Sequence, residues 1–192
     1  MLAEVPVVLF IVATLMAIVV ILLFILLGQT QKTQKSNSEN SVNIEQLKKY
    51  FLVDPQTGVY NQNFFIKKLE EESYRSARYN SHFTLVIFDF ASLLDGIEKE
   101  KAASLYRMAV VSASRDTRYS DFVATLQENK FAIIFTMTPK SSAEVPLNRI
   151  MTKIGDIFKK EGIEGKPSIR VYGFPEDKAD IEKLILELKE QA

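Results

Sequence analysis

The longest apolar run lies near the N-terminal end. Val5 to Leu27 carries no charged side chain and is almost wholly Val, Ile, Leu, Phe, Ala and Met. About 23 residues at 1.5 Å each give a helix of roughly 34 Å, enough to span about 30 Å of hydrocarbon. Pro6 falls in its first turn, where the missing N–H costs little. A cleaved signal peptide would have a shorter apolar core, a basic residue before it and a small-residue cleavage site after it. Here Glu4 is the only charge before the run, and Gly28-Gln29-Thr30-Gln31 is a poor cleavage site. The pattern predicts a retained transmembrane anchor over residues 1–28. Residues 29–43 are mostly Gln, Lys, Thr, Ser and Asn, a solvated tether. Lys32 and Lys35 follow the span and no basic residue precedes it, so residues 44–192 are expected in the cytoplasm.

Beyond the tether the periodicity changes repeatedly. Ile44 to Phe51 fits a short helix. Asn61 to Tyr79 fits a longer one, with Phe65, Ile66 and Leu69 on one side. Phe83 to Phe88 is a nearly continuous apolar run, as in a central buried strand ending at Asp89. Glu98 to Arg115 repeats Ala102, Leu105, Ala109 and Ser112 at helical spacing. Phe122 to Leu126 and Phe131 to Thr136 flank polar Gln127-Glu128-Asn129-Lys130, a hairpin pattern. Leu147, Ile150, Ile154, Ile157 and Phe158 mark another helix, Ser168 to Gly173 a strand, and Ile181, Leu184, Ile185 and Leu188 a last helix. The order from residue 83 is β-α-β-β-α-β-α. It predicts an α+β, ferredoxin-like, mainly antiparallel sheet with helices over one face, preceded by the one transmembrane helix.

Composition narrows the chemistry. The 24 basic and 24 acidic residues balance, which excludes a globally basic nucleic-acid binder, and no nucleic-acid partner is expected. The balance persists in residues 44–192, at 22 of each sign once Lys32, Lys35, Glu4 and Glu39 are set aside. With no Cys there is no disulfide, thiolate metal site or cysteine nucleophile, and the single His82 excludes histidine clusters.

Several motifs, in order, resemble the GGDEF domains of bacterial diguanylate cyclases over about residues 50 to 190. Asp54-Pro55-Gln56-Thr57-Gly58-Val59-Tyr60-Asn61 is similar to the family's D-x-L-T-G-L-x-N opening. Leu85-Val86-Ile87-Phe88-Asp89 resembles the strand that presents a metal-binding Asp. Arg118-Tyr119-Ser120-Asp121 resembles the R-x-x-D segment that precedes the signature hairpin, and Ser168-Ile169-Arg170-Val171 resembles the late S-I-G-V strand. The resemblance implies a GGDEF-type fold in a bacterial protein, and hence a cytoplasmic-membrane location for the anchor.

The signature itself departs from the family. Gln127-Glu128-Asn129-Lys130-Phe131 stands where G-G-[D/E]-E-F is expected, and only Phe131 matches. The family's reaction joins two GTP molecules by phosphoryl transfer on bound magnesium, which needs hard oxygen ligands. Asn129 replaces an acidic ligand, Lys130 brings a positive charge, and Gln127 and Glu128 add bulk where glycines admit the triphosphate. Ile97 stands where the family has a guanine-contacting Asn. Asp89 is then read as vestigial, capping nearby N–H groups rather than holding metal; no catalytic residue, metal or cofactor is expected. The resemblance also implies a product site for cyclic di-GMP at Arg118 and Asp121, with Arg149 as its second Arg. The competing reading is a surface Arg–Asp pair of little energetic worth, and Glu161 and Glu164 could repel phosphate if close. The expectation is a membrane-anchored, inactive signalling or scaffold module with a protein partner or self-association, and with cyclic di-GMP as candidate ligand. The alternatives are an active cyclase with atypical ligands and a purely structural membrane protein.

Overall fold

The computed structural model describes residues 52–127 and 129–191. All described residues belong to one compact unit, Phe51–Ala192. The expected transmembrane span, the tether, the short helix at 44–51 and Glu128 lie outside the described residues. Among those described, no helix is long and apolar enough to cross a membrane.

The elements run α1 (Gln62–Tyr79), β1 (Phe83–Asp89), α2 (Ala91–Leu94), α3 (Lys99–Asp116), β2 (Phe122–Leu126), β3 (Lys130–Thr136), α4 (Glu144–Lys160), β4 (Ser168–Phe174) and α5 (Lys178–Glu190). The strands form one antiparallel sheet in the order β2-β3-β1-β4. β1 is central, and six of its seven residues are buried. Its alternate residues feed two cores. Val86 and Phe88 face α3 and α4 with Leu105, Ala109, Ile154 and Phe158. Phe83, Leu85 and Ile87 face α1 and α5 with Phe65, Leu69, Ile181 and Leu184. Helices therefore cover both faces, not one as expected. The continuous apolar run of β1 is the physical reason: a strand with one wet face would alternate.

Local chemistry sets the boundaries. Asn61 caps α1 by accepting from the Phe64 N–H at 2.9 Å. Asn80 ends the helix in the left-handed conformation, φ 49°. The opening motif is a stapled turn. Asp54 exchanges backbone bonds with Gly58 and Val59, both at 2.8 Å, and Gly58 supplies the positive φ of 73°. The Asp54 carboxylate accepts from the Gln56 N–H at 2.7 Å and from the Thr125 hydroxyl at 3.0 Å, which ties the turn to β2.

Candidate functional site

Two places carry the residues singled out by sequence. The first is the β2–β3 hairpin. Leu126 pairs with Lys130, so the reversal is confined to residues 127–129. Asn129 takes a left-handed φ of 59° there, a conformation that Asn tolerates better than most side chains. Its carbonyl accepts from the Phe90 N–H at 3.2 Å. Antiparallel register sets Lys130 opposite Asp89 and Phe131 opposite Phe88. Phe131 is fully buried and stacks on Phe88 with centroids 4.4 Å apart, so the matching residue of the motif is core.

Both Asp89 oxygens have a neighbour in the fold. Oδ1 accepts from the Ala91 N–H at 2.9 Å, and Oδ2 lies 3.8 Å from the Lys130 ammonium. The Tyr106 hydroxyl donates to the Lys130 carbonyl at 2.6 Å. Gln127 is equally engaged. Its N–H donates to Gln62 Oε1 at 3.0 Å, and its side-chain amide donates to the Gln191 carbonyl. Gln62 in turn donates to the Leu188 carbonyl at 3.1 Å. These bonds answer carbonyls at the end of α5 that have no partner within the helix. Sequence reading missed Gln62 and Tyr106; the only signal was a polar residue at a helix start and a Tyr on a buried helix face. Among the described residues no group of three or more His, Cys, Asp or Glu is arranged to hold a metal ion.

The second place is a concavity of about 410 Å³ lined by Arg118, Asp121 and Arg149, together with Met137, Thr138 and Pro146. The fold brings all three sequence-picked residues together. Asp121 closes the turn before β2: Oδ2 accepts from the Arg118 N–H at 2.9 Å, and Oδ1 from the Thr136 N–H at 3.2 Å. Its carboxylate is therefore occupied by backbone, while the exposed Arg118 side chain remains at the rim. Arg149 donates to the Asp116 carbonyl at 2.7 Å, which places a cation at the C-terminus of α3. Lys153 pairs with the Asp116 carboxylate at 2.6 Å. Glu161 pairs instead with Lys101 at 3.0 Å, and neither it nor Glu164 lines the concavity. The place of His82 at the α1–β1 junction gives it no part in either site.

The family model described as diguanylate cyclase, GGDEF domain, matches residues 51–191. The chain belongs to the GGDEF domain family. Solved GGDEF structures share the fold. The coiled coil and GGDEF domain of DgcB from Caulobacter crescentus, in complex with c-di-GMP, is 15% identical over 87% of this chain and 95% of that one, with a TM-score of 0.56. Diguanylate cyclase SiaD from Pseudomonas aeruginosa, in complex with its activator SiaC, is 17% identical over 86% of this chain and 69% of that one, with a TM-score of 0.54. The FimX GGDEF domain from the same organism is 15% identical over 74% of this chain and 96% of that one, with a TM-score of 0.52. No curated protein matches the chain significantly. In this GGDEF domain the hairpin tip is the Gln127–Lys130 segment, and the R-x-x-D segment is the turn from Arg118 to Asp121.

Proposed function

We propose that this chain is a membrane-anchored GGDEF module without cyclase activity, acting as a signalling or scaffold component and binding cyclic di-GMP at Arg118 and Arg149. The observation that carries the loss of activity is the Lys130 ammonium, 3.8 Å from Oδ2 of Asp89. Magnesium, which the family's reaction implies, does not fit these residues. It needs several oxygen ligands in near-octahedral geometry. The Lys130 ammonium beside Asp89 Oδ2 would repel a second cation, and the neutral Asn129 brings no carboxylate to join Asp89. Gln127 supports the same reading, because its side chain is engaged in holding α5 rather than leaving room for a triphosphate.

Retained binding of cyclic di-GMP is supported by the convergence of Arg118, Asp121 and Arg149 on one concavity. Arg guanidinium groups meet phosphate through charge-assisted hydrogen bonds, and such a site needs no metal or catalytic alignment. DgcB, which has this fold, was solved with c-di-GMP. A partner protein is supported by SiaD, which has the same fold and was solved with its activator. The anchor over 1–28, the tether over 29–43 and a cytoplasmic domain from residue 44 follow from the apolar run and from Lys32 and Lys35. The cytoplasmic side is tested by alkaline phosphatase fused at Ala192; strong activity would reverse the topology.

The deciding experiment incubates the full-length protein in detergent with GTP and magnesium, and measures cyclic di-GMP by mass spectrometry. No product is expected. Each lost electrostatic contact at such a site costs about 10²–10³ in rate, and such losses need not add. Product formed at an ordinary cyclase rate would overturn the reading.

A further inference from the structure

We propose that Met137 is a ligand-contacting residue that selects for planar bases in the Arg118–Arg149 concavity. The proposal rests on the cyclic di-GMP reading above and assigns a role which that reading does not contain. Met137 follows β3 with a positive φ of 51°. That region crowds Cβ against the backbone and is rare for a long side chain. The conformation is imposed from both sides. Thr136 donates its N–H to Asp121 Oδ1 at 3.2 Å and its hydroxyl to the Ser120 carbonyl at 3.1 Å. The Thr138 carbonyl accepts from the Thr84 hydroxyl at 2.8 Å, and the Thr138 hydroxyl donates to the Thr136 carbonyl at 2.9 Å. Strained residues persist where neighbours over-determine them, and they cluster at functional sites.

Folding gains little from this side chain. Met137 is 65% exposed, so burial does not offset the backbone cost. Gly or Asn would fit the conformation with less strain. Its location supplies the missing reason. Met137 borders the Arg118–Arg149 concavity on one side. On the other it borders a second concavity of about 360 Å³ whose Lys68 and Arg75 are paired with its own Glu71 and Glu72. Its Sδ lies 4.0 Å from Arg75 Nη1. A thioether thus forms a ridge at the edge of the concavity that holds the exposed Arg118, and the second concavity offers no unpaired arginine, since Arg75 is bound to Glu72. Thioethers are polarizable and pack well against aromatic rings. The fitting ligand is an anion that also offers flat aromatic faces, a purine nucleotide rather than a bare phosphate.

The test is calorimetric titration of the full-length protein in detergent with cyclic di-GMP, and separately with inorganic phosphate. Met137→Gly should weaken cyclic di-GMP binding by about five- to tenfold, the scale of a sulfur–aromatic contact, with thermal unfolding at or above the wild-type temperature. Met137→Leu, which keeps an apolar side chain, should weaken it by less than about threefold. Phosphate binding should be unchanged in both. If Arg118→Ala weakens cyclic di-GMP binding but Met137→Gly does not, the Met137 proposal fails and the site reading stands. If the wild-type protein binds no cyclic di-GMP, both fail. If Met137→Gly melts well below wild type, the side chain is structural and the proposal is overturned.

Discussion

Asp89 and Lys130 face each other across the β1–β3 ladder, with carboxylate and ammonium 3.8 Å apart. The two side chains are only 30% and 24% exposed, so the pair is partly shielded from solvent. An ammonium on the strand opposite occupies the carboxylate more persistently than a dissolved cation, because it is held there by the fold. The pairing also relates the hairpin tip to the β1–α2 turn, since the same carboxylate receives the Ala91 N–H.

The two ends of this pair should respond unequally to substitution. Lys130→Met should cost no more than about 1 kcal/mol, the usual range for a partly exposed ion pair. Asp89→Ala removes the ion pair and the acceptor for Ala91, and a lost hydrogen bond of that kind adds about 0.5–1.5 kcal/mol. Urea unfolding of both variants checks the order. Equal losses would mean that the Ala91 bond contributes nothing.

Arg118 and Asp121 should separate in the same assay. The Asp121 carboxylate accepts two backbone N–H groups, from Arg118 and Thr136. Asp121→Ala should therefore cost about 1–3 kcal/mol, whereas the exposed Arg118→Ala should stay within about 0.5 kcal/mol of wild type. A stable Asp121→Ala protein would contradict the structural role given to that carboxylate.

Much of this arrangement is legible in the sequence, for identifiable reasons. The uninterrupted apolar run from Phe83 to Phe88 marks a central buried strand, but the element order points to helices over one face, and helix periodicity does not say which helices take which side. The hairpin is visible as a polar gap between two β-rich runs, and the structure starts β3 at Lys130, one residue earlier than expected. Family spacing groups Arg118, Asp121 and Arg149, and they do line one concavity. What is not legible depends on contacts distant along the chain. Gln127 meets Gln62 across 65 positions, and Gln62 meets Leu188 across 126. Polar side chains with such partners look the same in sequence as solvated ones. Met137 is hidden for another reason: nothing in its side chain suggests a left-handed backbone.

Asp177 provides an acid-sensitive contact at the corner between β4 and α5. The Lys140 ammonium at 2.6 Å and the Gly173 N–H at 2.8 Å hold its carboxyl below its ordinary value of 3.8. A depressed carboxyl stabilises the fold above pH 3.8, and that contribution disappears as pH falls through the folded value. Wild-type stability should therefore drop more steeply than that of Asp177→Asn as pH is lowered below about 4. Chemical unfolding at a series of pH values decides it; parallel curves would mean that the carboxyl is not held down by its partners.

Tyr106 should produce the opposite limb. Burial pushes its phenol well above the ordinary value of 10.0, with a smaller contribution from the Asp54 carboxylate. Its hydroxyl donates to the Lys130 carbonyl at 2.6 Å, which requires the proton to stay on the phenol. A raised phenol stabilises the fold fully below pH 10.0, where the unfolded chain is also neutral. Above that the unfolded chain ionises first, and the contribution falls as pH rises toward the folded value. Tyr106→Phe removes the bond, so at pH 7 it should cost about 1–2 kcal/mol. Because the variant has no phenol to ionise at this position, its stability should decline less between pH 10 and about 11.5. The gap between the two proteins should therefore narrow on the alkaline side. Urea unfolding at neutral pH and at about pH 11 reads the gap directly. A constant gap would mean that the Tyr106 phenol ionises as readily in the fold as in the unfolded chain, and that the bond to Lys130 does not hold its proton.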